Sequence, residues 1–290
     1  MHGPDLAEHY TTLRHRPSDR RPVVVRVTRL RDSAPRPAVL LVHGFKGFMH
    51  WAFFPELARR LARAGLVAVA HNASHNGVSA RPEEPAPRWD VLDDDEGFAA
   101  NTHTRELDDV GLVREYVEGL PGVAPARIGV FGHSRGGGIA LLHAAERGAG
   151  ALALWAPIDD IDRVDAGTKA AWRASGVLAV PNHRTGQVHR LGLAILDEVE
   201  RREPRLQILA RSRELAAPTL VIHGTADDAV PHAASQHITA ALEGARLVTL
   251  DGANHAFGAT HPLRSPLHAH MQAALDLTVA HFVDTLARPR

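Results

Sequence analysis

The sequence predicts an α/β protein whose mostly parallel central sheet is covered by helices on both faces. Apolar segments of strand length alternate with segments of helical periodicity along most of the 290 residues, as in parallel sheets joined by crossover helices. The strand segments are continuous apolar runs, which indicates strands buried on both faces. These predicted strands lie at residues 23–27, 38–42, 66–70, 128–131, 151–155, 219–222 and 246–250.

Segments with apolar residues at helical spacing separate the predicted strands. They lie at residues 53–62, 106–117, 232–242 and 267–286, and one further helix follows strand 128–131 and ends near residue 147. The alternation stops between residues 157 and 217, where charged segments of helical appearance occur and no convincing strand is found. We interpret 157–217 as a small helical cap inserted into a single domain that spans residues 1–290. The alternative is that this segment is an ordinary surface insertion that does not cover a site.

Composition excludes several classes of site and partner. The chain has 33 basic and 33 acidic residues, so no net charge draws it to nucleic acid or to an anionic membrane. It has no cysteine, which excludes disulfides and thiolate metal sites and fits a reducing cytoplasm. Its 20 histidines show no spacing typical of a metal site, and no signal peptide or membrane span is visible. We therefore expect a cytoplasmic protein without metal or other cofactor, and a homodimer is compatible with the sequence.

Residues 132–136 have the pattern Gly-x-Ser-x-Gly and directly follow the predicted strand 128–131. A helix start made of small residues comes next, so the serine lies at a sharp strand-to-helix turn. Glycines flank Ser134 because strand and helix pack closely there, and we expect the serine backbone to be strained. This context predicts that Ser134 is a nucleophile whose hydroxyl is exposed beside the first N–H groups of the helix.

A serine nucleophile needs a base and a group that orients this base. The expected order along the chain is serine, acid, histidine, each in a loop after a strand. Asp227 and His255 each follow a predicted strand in this order. We predict that His255 is the general base and acid and that Asp227 orients its imidazole. Asp228 is an adjacent rival for the orienting role, and Asp251 is a weaker one.

Two backbone N–H groups are expected to stabilise the oxyanion that forms during acyl transfer. One belongs to Arg135, the residue after the nucleophile. The other belongs to Phe45, which lies in a glycine-containing loop after the predicted strand 38–42. His43 in the same loop is predicted to have a structural role.

Four residues are candidates for substrate contact: His75, Trp155, His183 and Arg184. His75 lies after strand 66–70, at the sheet edge expected to hold the nucleophile, and ordinary turn chemistry is the alternative for its loop. Trp155 ends a strand, where a core role is the alternative. His183 and Arg184 lie in the predicted cap, where Trp172 would join them to form an apolar pocket with a polar rim.

Four segments together resemble the α/β-hydrolase superfamily, and most of all its serine hydrolases that are similar to dienelactone hydrolases and cinnamoyl esterases. The segments are His-Gly-Phe-Lys-Gly at 43–47, Gly-His-Ser-Arg-Gly-Gly at 132–137, His-Gly-Thr-Ala-Asp at 223–227 and Gly-Ala-Asn-His at 252–255. The resemblance extends over about residues 23–286 and implies the α/β-hydrolase fold. Dienelactone hydrolases proper use a cysteine nucleophile, which this chain lacks, so their specific reaction is not expected.

The resemblance implies a serine hydrolase that cleaves carboxylic esters of small or medium acyl substrates through an acyl-enzyme. A peptidase or acyl-aminoacyl hydrolase is one alternative, which the acidic residues Asp159, Asp160 and Asp162 of the predicted cap would favour if they faced the pocket. A thioesterase of the same fold is a second alternative, and a non-catalytic ligand-binding protein is a third. Since one fold hosts all these functions, the fold alone does not choose among them.

Overall fold

A computed structural model describes residues 5–31, 34–80, 91–182 and 185–287. The strands are β1 Leu6–Leu13, β2 Val23–Leu30, β3 Arg36–Val42, β4 Val67–Asn72, β5 Val123–His133, β6 Leu152–Trp155, β7 Leu178–Asn182, β8 Gln187–Leu191, β9 Thr219–Gly224 and β10 Arg246–Leu250. The helices are α1 Phe54–Arg63, α2 Asp95–Ala99, α3 His103–Glu118, α4 Arg135–Arg147, α5 Ala166–Ser175, α6 Leu193–Arg201, α7 Ile208–Ser212, α8 His232–Ala241 and α9 Ala269–Phe282.

The central sheet has eight strands in the order β1-β2-β4-β3-β5-β6-β9-β10. From β4 to β10 all neighbouring strands pair in parallel, whereas β2 pairs antiparallel with both β1 and β4. The prediction of a mostly parallel sheet is therefore confirmed. Because parallel strands end at one edge of a sheet, the loops after β3, β5, β9 and β10 meet there.

Helices cover both faces of this sheet, as the sequence predicts. Alternate residues of β3 separate the two apolar cores: Leu40 packs with the core under α3, α4 and α8, and Leu41 packs with the core under α1 and α9. This alternation follows from the two-residue period of a strand. Every predicted strand lies within or beside one of the observed strands. The prediction succeeded because strands buried on both faces are continuous apolar runs.

The segment between β6 and β9 is not purely helical. It contains α5, α6 and α7, but β7 and β8 also form a separate two-stranded antiparallel sheet. The prediction that this segment holds no strand is therefore wrong. Both strands are short and only partly buried, and β7 contains Pro181, which removes a backbone donor and weakens the strand signal. The polar edge strand β1 was absent from the prediction for a similar reason.

This inserted segment packs in two parts. Its first part buries Trp172, Leu191 and Ile195 in a third apolar cluster together with Phe48 and Phe98, which belong to the loop after β3 and to α2. Its second part returns to the main core through residues of α7 and of the loop before β9. The first part thus lies beside the carboxyl edge of the sheet, where the candidate site is found.

Candidate active site

Ser134 lies at the turn between β5 and α4 with φ 58° and ψ −124°. A non-glycine residue in this region of backbone conformation stores about 1–3 kcal/mol of strain, as the sequence predicted. The close packing of strand and helix explains the neighbouring glycines. A Cβ at Gly136 would lie 2.3 Å from the carbonyl oxygen of His43, and one at Gly132 would lie 2.2 Å from that of Gly136. Neither contact can be relieved by moving a side chain.

The structure brings His255 and Asp227 into direct contact. Nδ1 of His255 donates to Oδ2 of Asp227 over 2.7 Å, which leaves Nε2 of the imidazole for the nucleophile. The rival acids lie elsewhere, since Asp228 is exposed and Asp251 accepts a hydrogen bond from Thr225. Of the three acids considered, Asp227 is the one that contacts the predicted base.

The side chain of Asp227 is fully buried, and its carboxylate accepts four hydrogen bonds. Oδ2 accepts from Nε2 of His223 at 3.0 Å as well as from His255, and Oδ1 accepts from the backbone N–H groups of Ala229 and Val230 at 2.9 Å. Burial by itself would raise the pKa of Asp227, but the hydrogen bonds from His223, His255 and Val230 hold the pKa well below its usual range. The carboxylate is therefore ionised near pH 7.

His133, the residue before the nucleophile, supports the loop of His255. Its Nε2 donates to the backbone carbonyl of His255 over 3.0 Å, and its ring stacks on Trp51 with a centroid distance of 5.7 Å. Burial lowers the pKa of His133 to about 3, with a further contribution from His255. His133 is therefore neutral near pH 7 and acts as a fixed hydrogen-bond donor.

Ser134 and His255 line the same two cavities. The smaller has a volume of about 340 Å³ and is walled by Phe45, Trp51, His133 and His261. The larger has a volume of about 630 Å³ and extends under the inserted segment. Among the described residues no hydrogen bond joins Ser134 Oγ to His255, whose bonds run to Asp227 and His133. Hydrogen bonds of this kind often tighten only when a substrate binds.

The loop after β3 lies against the nucleophile. A Cβ at Gly44 would lie 3.6 Å from Ser134 Oγ, so the backbone of this loop approaches the hydroxyl closely. His43 is buried, with Nδ1 donating to the carbonyl of Gly44, and Asn76 donates to the carbonyl of Gly47. These bonds fix the loop that carries Phe45. Phe45 and Arg135 both border the larger cavity with Ser134.

The larger cavity has an apolar wall and a basic rim. The apolar residues come mostly from the inserted segment and include Ile158, Ile161, Val164, Trp172, Leu178, Val180, Leu191 and Ile195. Its charged lining residues, within the described part of the chain, are Lys46, Arg135 and Arg163. Lys46 donates to the carbonyl of Pro181 in β7 over 2.9 Å, which ties the loop after β3 to the inserted segment.

The structure corrects two of the predicted substrate contacts. His75 lines a separate polar cavity with His15, Arg105 and Asp109 rather than the one at Ser134, because its loop turns away after β4. Trp155 is fully buried and packs on Phe131 and Phe257 in the core. His183 and Arg184 lie outside the described residues. Trp172, their predicted neighbour, does line the larger cavity.

The three acidic residues that would favour a peptidase do not line this cavity. Asp159 pairs with His237 at 2.7 Å, and Asp162 pairs with Lys169. None of Asp159, Asp160 and Asp162 lines the larger cavity. The feature that would favour recognition of a cationic peptide end is therefore missing from the described wall.

Several residues of the site were not found by sequence reasoning. His223 and His133 contact Asp227 and His255, and Lys46 and Arg163 border the cavity. Two signals were available: His223 and His133 lie in segments that carry the family resemblance, and both are polar residues at the buried ends of apolar strands. A buried histidine at a strand end needs hydrogen-bond partners. This indicates a functional or structural site but does not identify the partners or the role.

The fold is that of the α/β-hydrolase superfamily, and comparison with known proteins gives the family. Residues 25–175, more than half of the chain, match the dienelactone hydrolase family, and residues 196–275 match a family described as TAP-like protein. The chain belongs to the dienelactone hydrolase family.

Similar proteins are found among curated sequences and among solved structures, and the solved structures share the fold. Two relatives, both uncharacterized proteins of Mycobacterium tuberculosis, are 28% identical over 220 residues, which cover 76% of this chain and 63% of theirs. The chain thus spans less than two thirds of the relatives' length. Similar structures include Est1E from Butyrivibrio proteoclasticus (TM-score 0.67, 17% identity, 96% of this chain and 99% of that chain). A dienelactone hydrolase from Anabaena variabilis has a TM-score of 0.61 at 18% identity and covers 98% of this chain and 100% of its own.

No helix in the described part of the chain is both long and apolar enough to cross a membrane.

Proposed function

We propose that this protein is a serine hydrolase that cleaves carboxylic esters of small or medium acyl groups. The observation that supports this most directly is the strained Ser134, which opens into the same cavities as a histidine already held by a buried carboxylate. The chain has no cysteine to replace the serine as nucleophile. An oxygen nucleophile is consistent with this arrangement.

In the proposed reaction, Ser134 Oγ attacks the ester carbonyl carbon while Nε2 of His255 takes the hydroxyl proton. Asp227 holds the imidazole by its Nδ1–H and stabilises the imidazolium that forms. The backbone N–H groups of Phe45 and Arg135 stabilise the oxyanion. His255 then gives its proton to the departing alcohol, which leaves an acyl group on Ser134. A water molecule activated by His255 hydrolyses this acyl-enzyme and restores the serine.

We also propose that residues 157–217 act as a cap that sets substrate size. The apolar wall from this segment, together with the cavity volume of about 630 Å³, suits an uncharged acyl or alcohol group of moderate length. Est1E, one of the similar structures, has been solved with ferulic acid bound. Ferulic acid is a carboxylic acid, the class of product that ester hydrolysis releases, so this ligand is compatible with the proposed substrate class.

The test is hydrolysis of p-nitrophenyl acetate and butyrate by the purified protein and by Ser134→Ala. We expect turnover by the first and loss of at least about 10³-fold in kcat for the second. Faster cleavage of an aminoacyl-amide would favour the peptidase alternative, and faster cleavage of an acyl thioester would favour a thioesterase.

The cap proposal has its own test in the hairpin of β7 and β8. Val180 lines the larger cavity, whereas Val188 on the same hairpin is 59% exposed. Val180→Trp is expected to lower kcat/KM for p-nitrophenyl octanoate more than for the acetate, because the bulky ring occupies the space of the chain. Val188→Trp is the matched control and is expected to leave this ratio unchanged. An unchanged ratio in both variants would contradict the cap proposal.

A further inference from the structure

We propose that the side chain of Arg135 is a positioning residue that holds Phe45 and so fixes the two oxyanion donors relative to each other. This inference rests on the proposed function, in which the backbone N–H groups of these two residues bind the oxyanion. The carboxyl edge of the sheet brings the two residues together, although they are far apart in sequence. Their side chains provide a direct link that the backbone does not.

The link is a cation–π contact. Cζ of Arg135 lies 4.0 Å from the centroid of the Phe45 ring, well within the range of an attractive interaction. The ring of Phe98 lies 5.5 Å from that of Phe45. The Phe45 ring is therefore held by the guanidinium and by an apolar neighbour.

The guanidinium is itself held in place. Nη1 of Arg135 donates to Oε1 of Glu106 on α3 over 3.2 Å, and Asn101 donates to the same oxygen over 2.6 Å. The Arg135 side chain is 14% exposed and that of Glu106 is 13% exposed, so solvent has little access to the pair. A planar guanidinium that stacks on a ring and bonds to a carboxylate has little freedom to move.

The arrangement fits the demands of an oxyanion hole. Its two donors must lie at fixed positions around an oxygen that carries charge only in the transition state, and this preorganisation gives the rate advantage. Phe45 belongs to the loop after β3, whereas Arg135 opens α4. A displacement of the loop would separate the donors even though both N–H groups remain. The Arg135–Phe45 contact opposes that displacement.

Substitution isolates this effect, because every side chain at positions 45 and 135 keeps the backbone N–H. The variants are Arg135→Met, Phe45→Leu, their double variant and Arg135→Lys, which keeps a cation. Arg147→Met is the matched control: Arg147 lies at the other end of α4 and pairs with Glu115 of α3, so its loss removes a similar contact between the same helices. Melting temperature checks that each variant is folded.

The measurements are kcat and KM for p-nitrophenyl butyrate and the affinity for a trifluoromethyl ketone, whose serine adduct places an oxyanion in the hole. Arg135→Met and Phe45→Leu are each expected to lower kcat about ten-fold with KM changed less than about two-fold. Affinity for the ketone is expected to fall in parallel, and Arg135→Lys is expected to recover part of kcat. The double variant is expected to lose no more than about the larger single loss, because the two side chains act through one contact. Arg147→Met is expected to retain full activity.

The inference would be overturned by a double-variant loss equal to the product of the single losses, or by Arg135→Met with the kcat of the unmodified protein. The proposed function fails in a different way. If esterase activity survives Ser134→Ala, the assignment of the nucleophile is wrong, whatever the behaviour of Arg135. Losses that appear in KM alone would assign Arg135 to substrate binding and would equally contradict its positioning role.

Discussion

Asp227 and Asp228 are neighbours in the sequence but have opposite environments. The side chain of Asp227 is fully buried and accepts hydrogen bonds from two imidazoles, whereas Asp228 is exposed. The difference comes from the turn after β9, in which Oδ1 of Asp227 accepts the N–H groups of Ala229 and Val230. A turn stabilised in this way directs the first acid inward and the second outward.

Asp227→Asn is expected to lower kcat by about 10³- to 10⁴-fold, because an amide does not hold the correct imidazole tautomer. Asp228→Asn and Asp251→Asn are the controls and are expected to stay within about two-fold of the unmodified protein. Steady-state hydrolysis of p-nitrophenyl butyrate measures all three. A large loss in Asp228→Asn with activity retained in Asp227→Asn would reverse the assignment.

His223 is a second donor to the orienting carboxylate. Its Nε2 faces Oδ2 of Asp227 and the carbonyl of Val230, both at 3.0 Å, and its Nδ1 contacts Ser235 Oγ at 2.7 Å. Since both partners of Nε2 are acceptors, this nitrogen carries the hydrogen. His223 therefore restrains the carboxylate oxygen that holds His255.

His223→Leu is expected to lower kcat about ten-fold, since Asp227 loses a hydrogen bond to a charged group and gains freedom to rotate. Ser235→Ala keeps the bond from His223 to Asp227 and is expected to cause a smaller loss. Kinetics alongside urea denaturation separate this effect from a loss of stability. Equal kcat values for His223→Leu and the unmodified protein would contradict the role.

At the scale of elements, the junction of β5 and α4 depends on glycines, because the strand and the helix pack too closely to leave space for a Cβ. A Cβ at Gly136 would meet the carbonyl oxygens of His43 and Val42 at 2.3 and 2.5 Å, which are backbone atoms of the neighbouring strand end. At Gly111, in the interior of α3, such a Cβ would have no atom of the described residues within 4 Å apart from its chain neighbours and the backbone of its own helix. The two glycines thus allow opposite predictions for the same substitution.

Gly136→Ala is expected to lower the free energy of unfolding by more than about 3 kcal/mol or to prevent folding, because strand and helix must move apart. Gly111→Ala is expected to raise it by about 0.5–1 kcal/mol, because alanine favours a helix more than glycine does. Urea denaturation of both variants gives the comparison. A folded Gly136→Ala protein of unchanged stability would contradict the packing described at the turn.

The elements that sequence reasoning found are those with a strong local signal. Strands buried on both faces are continuous apolar runs, so β3, β5, β6 and β9 could be placed to within a few residues. The strands β1, β7 and β8 are only partly buried, and each pairs antiparallel with a strand adjacent to it along the chain. They lack the continuous apolar run that marks a strand buried on both faces, so local pattern does not identify them.

The same distinction holds for the site. Ser134, Asp227 and His255 follow strand ends in a fixed order, so topology alone brings them to one edge. Substrate-lining residues have no such rule. Trp155 ends a strand at the correct edge, yet its ring points into the core and donates to Thr278. The direction of a side chain at a strand end depends on its register, because a shift of one residue moves the side chain to the other face of the sheet.

At the scale of the whole molecule, buried histidines make stability depend on pH. Burial lowers the pKa values of His71, His133 and His143 to about 3. In the unfolded chain an ordinary histidine has a pKa of about 6.5. Between about pH 6.5 and pH 3 the unfolded chain therefore binds protons that the folded protein does not, and stability is lost as the pH falls through this window.

The three histidines together predict that the free energy of unfolding falls by up to about 4 kcal/mol per pH unit below about pH 6. Above pH 7.5 they are expected to change it little. Urea denaturation at pH 8, 6 and 5 measures the effect. His143→Leu removes one of the three groups and is expected to reduce this slope by about one third. Equal urea midpoints at pH 8 and pH 5 would show that the histidines are protonated in the folded protein.

The central claim is that Ser134 is a nucleophile activated by His255 and Asp227. The most direct measurement is intact mass after treatment with a fluorophosphonate, followed by peptide mapping of the modified residue. One adduct on Ser134 is predicted, absent from Ser134→Ala and formed much more slowly in His255→Ala. An adduct on another residue, or labelling that persists in folded Ser134→Ala, would contradict the claim.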